Sequence, residues 1–75
     1  MEKHEFEIRA YYKTELAMIY CPEMSQRGAL RRFNKWLKKN PRLVYLLEEN
    51  DFTPRQVQQI VEELGEPLLT TFDHI

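Results

Sequence analysis

Ser25-Gln26-Arg27-Gly28-Ala29-Leu30-Arg31-Arg32-Phe33-Asn34-Lys35-Trp36-Leu37-Lys38-Lys39 is the longest periodic stretch of the chain. At about 100° per residue, Arg27, Arg31, Arg32, Lys35, Lys38 and Lys39 fall within an arc of about 140°. Trp36, Ala29, Phe33, Leu37 and Leu30 fill the opposite arc, where only Gln26 is polar. Ser25 is a good N-cap. The stretch predicts an amphipathic helix over 26–39 with a basic outer face and an apolar face turned to a core.

Upstream of this helix, Thr14 is a plausible N-cap for a short helix over 15–20, with Leu16, Ala17, Ile19 and Tyr20 as its apolar side. Pro22 ends it, because the residue before a proline avoids the helical region. Phe6, Ile8, Ala10 and Tyr12 alternate with Glu5, Glu7, Arg9 and Tyr11, which predicts a short half-buried strand or extended arm over 5–12. A lone strand must pair elsewhere or lie on the helices. Tyr11 is free to stack either on a base or on a neighbour.

Downstream, Asn40-Pro41 restarts the chain, and Leu43, Val44, Leu46 and Leu47 predict a short apolar helix over 41–49. Thr53-Pro54-Arg55-Gln56 is a capping box with proline in the first helical position, and Phe52 with Val57 forms a hydrophobic staple. The helix they open runs over 54–64, with Val57, Ile60, Val61 and Leu64 as its buried stripe. Gly65 and Pro67 stop it. The 68–75 tail is apolar enough to pack back on the domain or on a partner. The expected fold is mainly α: one domain over 1–75, a small helical bundle with a helix-turn-helix-like pair and a short N-terminal strand or arm.

The chain has 75 residues and is 43% hydrophobic, which suits one small globular domain rather than a disordered chain. Such a domain holds its fold by a narrow margin, so a homodimer or another docking partner is a reasonable expectation. No apolar run approaches the ~20 residues of a membrane span, and no membrane partner is expected. Residues 1–5 carry no apolar run of the signal-peptide kind. A single cysteine favours a reducing, cytoplasmic setting.

Catalysis finds little footing. Cys21 has only His4 and His74 as basic partners, both near the chain ends, and a small buried residue is the simpler reading. These three do not make the paired ligand spacing of a zinc site. Glu48, Glu49, Asp51, Glu62, Glu63 and Glu66 fall near helix ends and on polar faces. The two glycines, Gly28 and Gly65, build no phosphate-cradling loop. A non-enzymatic chain without cofactor or metal is the expectation.

The net charge of -1 is a cancellation. Residues 24–47 hold seven Lys/Arg and no Asp/Glu, which leaves four of the eleven basic residues against all twelve acidic ones elsewhere. Arg27/Arg31, Arg31/Lys35 and Lys35/Lys39 are like-charge pairs at i,i+4, each costing a few tenths of a kcal/mol. A face that tolerates this cost points to an anionic partner. A short helix, a turn and a longer basic helix match the helix-turn-helix arrangement. On that reading Ser25, Gln26 and Arg27 lie at the end that meets base edges. Arg31, Arg32, Lys35 and Lys38 reach phosphates, and Lys39 completes the basic set. Arg55 either extends the patch or is an ordinary polar position. The alternative is a protein-interaction module whose basic helix docks on an acidic partner or on the acidic part of a second copy.

Tyr12-Lys13-Thr14-Glu15-Leu16-Ala17-Met18-Ile19-Tyr20-Cys21-Pro22, the segment from Ala29 to Trp36, Asn40-Pro41, Thr53 to Val57 and Leu64-Gly65-Glu66-Pro67 occur together here. The combination resembles an uncharacterised family of small proteins found mainly in gut anaerobic bacteria, over roughly residues 6–67. That resemblance implies no activity and no catalytic residues. The Lys-x-Glu-Leu-Ala segment is also similar, over a short length, to the first helix of helix-turn-helix and excisionase-like regulators.

Overall fold

The computed structural model describes residues 6–67. It is mainly α: β1 (Tyr11–Tyr12), α1 (Lys13–Tyr20), α2 (Gln26–Lys39), a single 3-10 turn (Val44–Leu46), β2 (Asp51–Phe52) and α3 (Pro54–Leu64). The expected tail over 68–75 lies outside the described residues.

The α2 helix runs over the predicted residues. Ser25 Oγ accepts from the Gly28 N–H, and Ala29, Phe33 and Leu37 are its buried positions. Leu30 and Trp36 pack against the core from its edge. The helix packs on α1, with Tyr20 against Phe33 and Trp36 and with Leu16 and Ala17 of α1 fully buried in the shared core.

The arm is shorter and differently phased than alternation predicts. Only Tyr11 and Tyr12 form a strand, pairing antiparallel with Phe52 and Asp51. Tyr11 is buried whereas Ile8 and Tyr12 are exposed, so the inward residue is the one placed outward by the 5–12 reading. Local side-chain packing overrides the alternation. The Tyr11 ring stacks on Phe6 at 5.4 Å, Arg9 sits over it at 3.9 Å, and its hydroxyl donates to the Glu7 carbonyl. Tyr11 therefore stacks on neighbours. Its strand partner, Asp51–Phe52, is too short to show any period of its own.

This two-residue ladder also moves the start of α1. Thr14 is not the N-cap: the helix begins at Lys13 with Tyr12 as the cap residue. Glu15 Oε1 accepts from the Tyr12 N–H, and the Lys13 N–H donates to the Asn50 carbonyl. Pairing of Tyr12 with Asp51 has already fixed the backbone there, so the helix starts where the ladder ends.

The helix expected over 41–49 does not form. The chain instead makes successive i→i+3 bonds, from Leu46 N to Leu43 O, Leu47 N to Val44 O and Glu49 N to Leu46 O. Asn40 Oδ1 accepts from Arg42 N and turns the chain. Leu43 and Leu46, three apart, are both fully buried, while Val44 and Tyr45 are exposed. A period of three suits the 3-10 turn.

The α3 start follows the capping box. Thr53 Oγ1 accepts from Gln56 N, and Gln56 Oε1 accepts from Thr53 N. Phe52 and Val57 are both buried, as a staple requires. Val57 and Ile60 are the fully buried part of its stripe, with Val61 and Leu64 half-buried. Gly65 ends the helix at φ +90°, the one left-handed residue among those described. The resulting core joins Phe33, Phe52, Leu16, Leu37, Leu43, Leu46, Ile60 and Val57.

Candidate nucleic-acid interface

The α2 helix carries the basic row. Burying Ala29, Phe33 and Leu37 turns Arg27, Arg31, Arg32, Lys35, Lys38 and Lys39 to solvent, and all six are exposed. The ion pairs of the structure lie elsewhere: Arg9 with Glu7 and Glu15, and Arg42 with Glu63. Among the described residues, none of the six has a carboxylate within ion-pair distance. Arg42, the seventh cation of residues 24–47, is held by Glu63 and does not belong to the row.

A groove of about 450 Å³ runs along this face, lined by Met24, Gly28, Arg31, Arg32, Asn34, Lys35, Lys38 and Leu47. Four cations thus line one channel, with Met24 and Leu47 as its apolar side. At Gly28 the Met24 side chain lies close over the helix, where a Cβ would meet its Cε at 3.3 Å. Asn34 Oδ1 is sealed from solvent and has no hydrogen-bond donor among the described residues. Asn34 and Leu47 were not legible as site residues. Asn34 sits between the basic and apolar arcs, and Leu47 read as part of an apolar helix.

The remaining expected site residues divide. Arg27 is exposed one turn before Arg31, on the same side. Ser25 is exposed, but its oxygen is engaged as the cap of α2. Gln26 is exposed on the α1 side, in a shallow depression with Tyr12, Thr14, Glu15 and Met18. It therefore does not line the groove with Arg31, Lys35 and Lys38, the residues expected to reach phosphates. Its place in the apolar arc of the helix is the cause. Arg55 is exposed on the first turn of α3 and lines no part of the groove.

Cys21 is buried, and burial pushes its thiol above the ordinary range, which leaves it a poor nucleophile. His4 and His74 lie outside the described residues. No group of three metal-ligating side chains occurs among the described residues, and no helix among them is long and apolar enough to cross a membrane.

A small mainly helical domain with an exposed, one-signed helix face is the class that the fold and the groove define. The chain belongs to the family described as Domain of unknown function (DUF4248), whose model matches residues 7–67. No curated protein and no solved structure matches it.

Proposed function

We propose that the chain is a DNA-binding regulatory domain that lays the basic face of α2 against the phosphate backbone. The observation that carries this reading is the exposure of Arg27, Arg31, Arg32, Lys35, Lys38 and Lys39 on one helix with no ion-pair partner among the described residues. Six like charges on one face repel each other, and an adjoining polyanion relieves that repulsion while releasing its counterions. The packing of α1 against α2, with Tyr20 on Phe33 and Trp36, supports a helix-turn-helix-like use of the pair, with α2 as the element presented to the groove.

The test is a gel-shift series on duplex DNA at rising salt. The wild type binds at low salt with affinity falling steeply as salt increases. The Arg31→Glu/Lys35→Glu variant, whose fold is checked by circular dichroism, binds at least tenfold more weakly. Absent binding by the wild type, or equal binding by both, ends this reading.

A second reading has one observation in its favour. Met24 and Leu47 give the same groove an apolar side, which suits an acidic amphipathic segment of a protein partner or a second copy. Light scattering at low and high salt separates the case of a second copy, since a homodimer held by this face dissociates as salt rises.

A further inference from the structure

A second groove, of about 780 Å³, opens on another side of the molecule between the ends of α1 and α3. Its walls are Tyr20, Trp36, Leu64, Pro22 and Pro67, and its rim carries Glu23, Glu63 and Glu66. The Tyr20 and Trp36 rings stand nearly perpendicular, 77° apart with centroids at 6.0 Å. The Tyr20 hydroxyl is fixed by donating to the Gly65 carbonyl at 2.5 Å. Glu63 is engaged by Asn40 and Arg42. Glu23 and Glu66 are exposed and have no ion pair among the described residues.

We propose that this groove docks an extended, proline-containing segment of a partner protein flanked by Lys or Arg. The chemistry of the walls selects this occupant. The Tyr20 and Trp36 rings meet edge to face and, with Pro22, Leu64 and Pro67, give the groove an aromatic and apolar floor. A polyproline segment packs its rings on such a surface with little loss of entropy. Trp36 is half-buried at the groove, and its indole N–H is suited to donate to a peptide carbonyl, the usual polar use of a surface tryptophan. The unpaired Glu23 and Glu66 carboxylates at the rim complement a cation next to the proline run and disfavour an acidic one. The chain's own 68–75 segment carries Asp73 and neither Lys nor Arg, so it lacks the complementary charge. The groove shares no lining residue with the basic face of α2, so its occupancy is independent of the DNA reading.

Trp36 is the only tryptophan of the chain and reports directly on the groove. Its emission is followed while the full chain is titrated with a synthetic Lys-Pro-Pro-Leu-Pro-Lys peptide. Counterparts carry Glu for Lys, or Ala for Pro. A saturable shift with the first peptide alone is expected, at least tenfold weaker in a Glu23→Lys/Glu66→Lys variant. An equally charged Glu48→Lys/Glu62→Lys variant, altered outside the groove, keeps wild-type affinity. No shift, an equal shift with the alanine or the glutamate peptide, or equal loss in both variants overturns the proposal. So does an emission change that follows protein concentration alone, which assigns the groove to a second copy.

Discussion

The Tyr20 hydroxyl donates to the Gly65 carbonyl at 2.5 Å across 45 residues, tying the last turn of α1 to the end of α3. Tyr20→Phe removes this bond while keeping the ring, and a neutral hydrogen bond of this kind is worth about 1 kcal/mol. Urea denaturation at neutral pH is expected to show a loss of that size. Burial, with Glu66 nearby, holds the Tyr20 phenol well above its ordinary value of 10.0. The stabilisation is therefore fully present below about pH 10 and is lost as pH rises through the folded value. Tyr11, also raised by burial, acts in the same sense. Lys13, lowered by burial, acts in the opposite one. The Tyr20→Phe variant is expected to lose stability less steeply than wild type above pH 10.

Among the described residues, Lys13 is the one charged side chain of the buried set. Its Nζ donates to the Leu47 carbonyl at 2.6 Å, with its own backbone N–H on Asn50. Burial disfavours its charge, and Glu49 and Glu48 partly restore it. Lys13→Met leaves the Leu47 carbonyl without its donor, so a loss of about 1–3 kcal/mol is expected despite the apolar replacement. Thermal melts of the two proteins measure it.

Gly65 offers a cleaner separation of space from backbone strain. A Cβ built there meets nothing within 4 Å, yet φ is +90°. Gly65→Ala therefore costs backbone strain alone, about 1–3 kcal/mol. Because Gly65 also carries the carbonyl that holds Tyr20, the same variant is expected to alter Trp36 emission in the adjoining groove. An unchanged melting temperature would show that the chain relaxes to a different end for α3.

The two long helices were legible because each carried redundant signals. Ser25 and the apolar arc agree for α2, and Thr53, Gln56, Phe52 and Val57 agree for α3. What failed was settled by packing that a period does not record. Tyr11 turned inward with Phe6 stacked on its ring, Arg9 over it and Phe52 paired with it across the ladder. Alternation over 5–12 does not say which of these contacts form. The 41–49 segment is rich in leucine, but its inward pair is Leu43 and Leu46, a spacing that a helix and a 3-10 turn share over so short a run. The basic row of the candidate site was visible in full, since exposure follows from the helix period. The acidic aromatic groove was not, because Tyr20, Trp36 and Pro67 come from three separate parts of the chain.

On the DNA reading, the structure separates Gln26 from Arg31 although both were placed at one interface. Gln26 faces α1 with Tyr12 and Met18, and Arg31 lines the basic groove. Each phosphate neutralised by a cation contributes about 0.9 to the slope of log affinity against log salt. Arg31→Ala is thus expected to flatten that slope by about 1 and to weaken binding to every sequence alike. Lys35→Ala and Lys38→Ala behave the same way. Gln26→Ala is expected to leave both slope and affinity within experimental scatter. If Gln26→Ala instead relaxes preference at one base pair, α2 enters the groove by its first turn. The basic row then serves to orient the helix rather than to define the contact face.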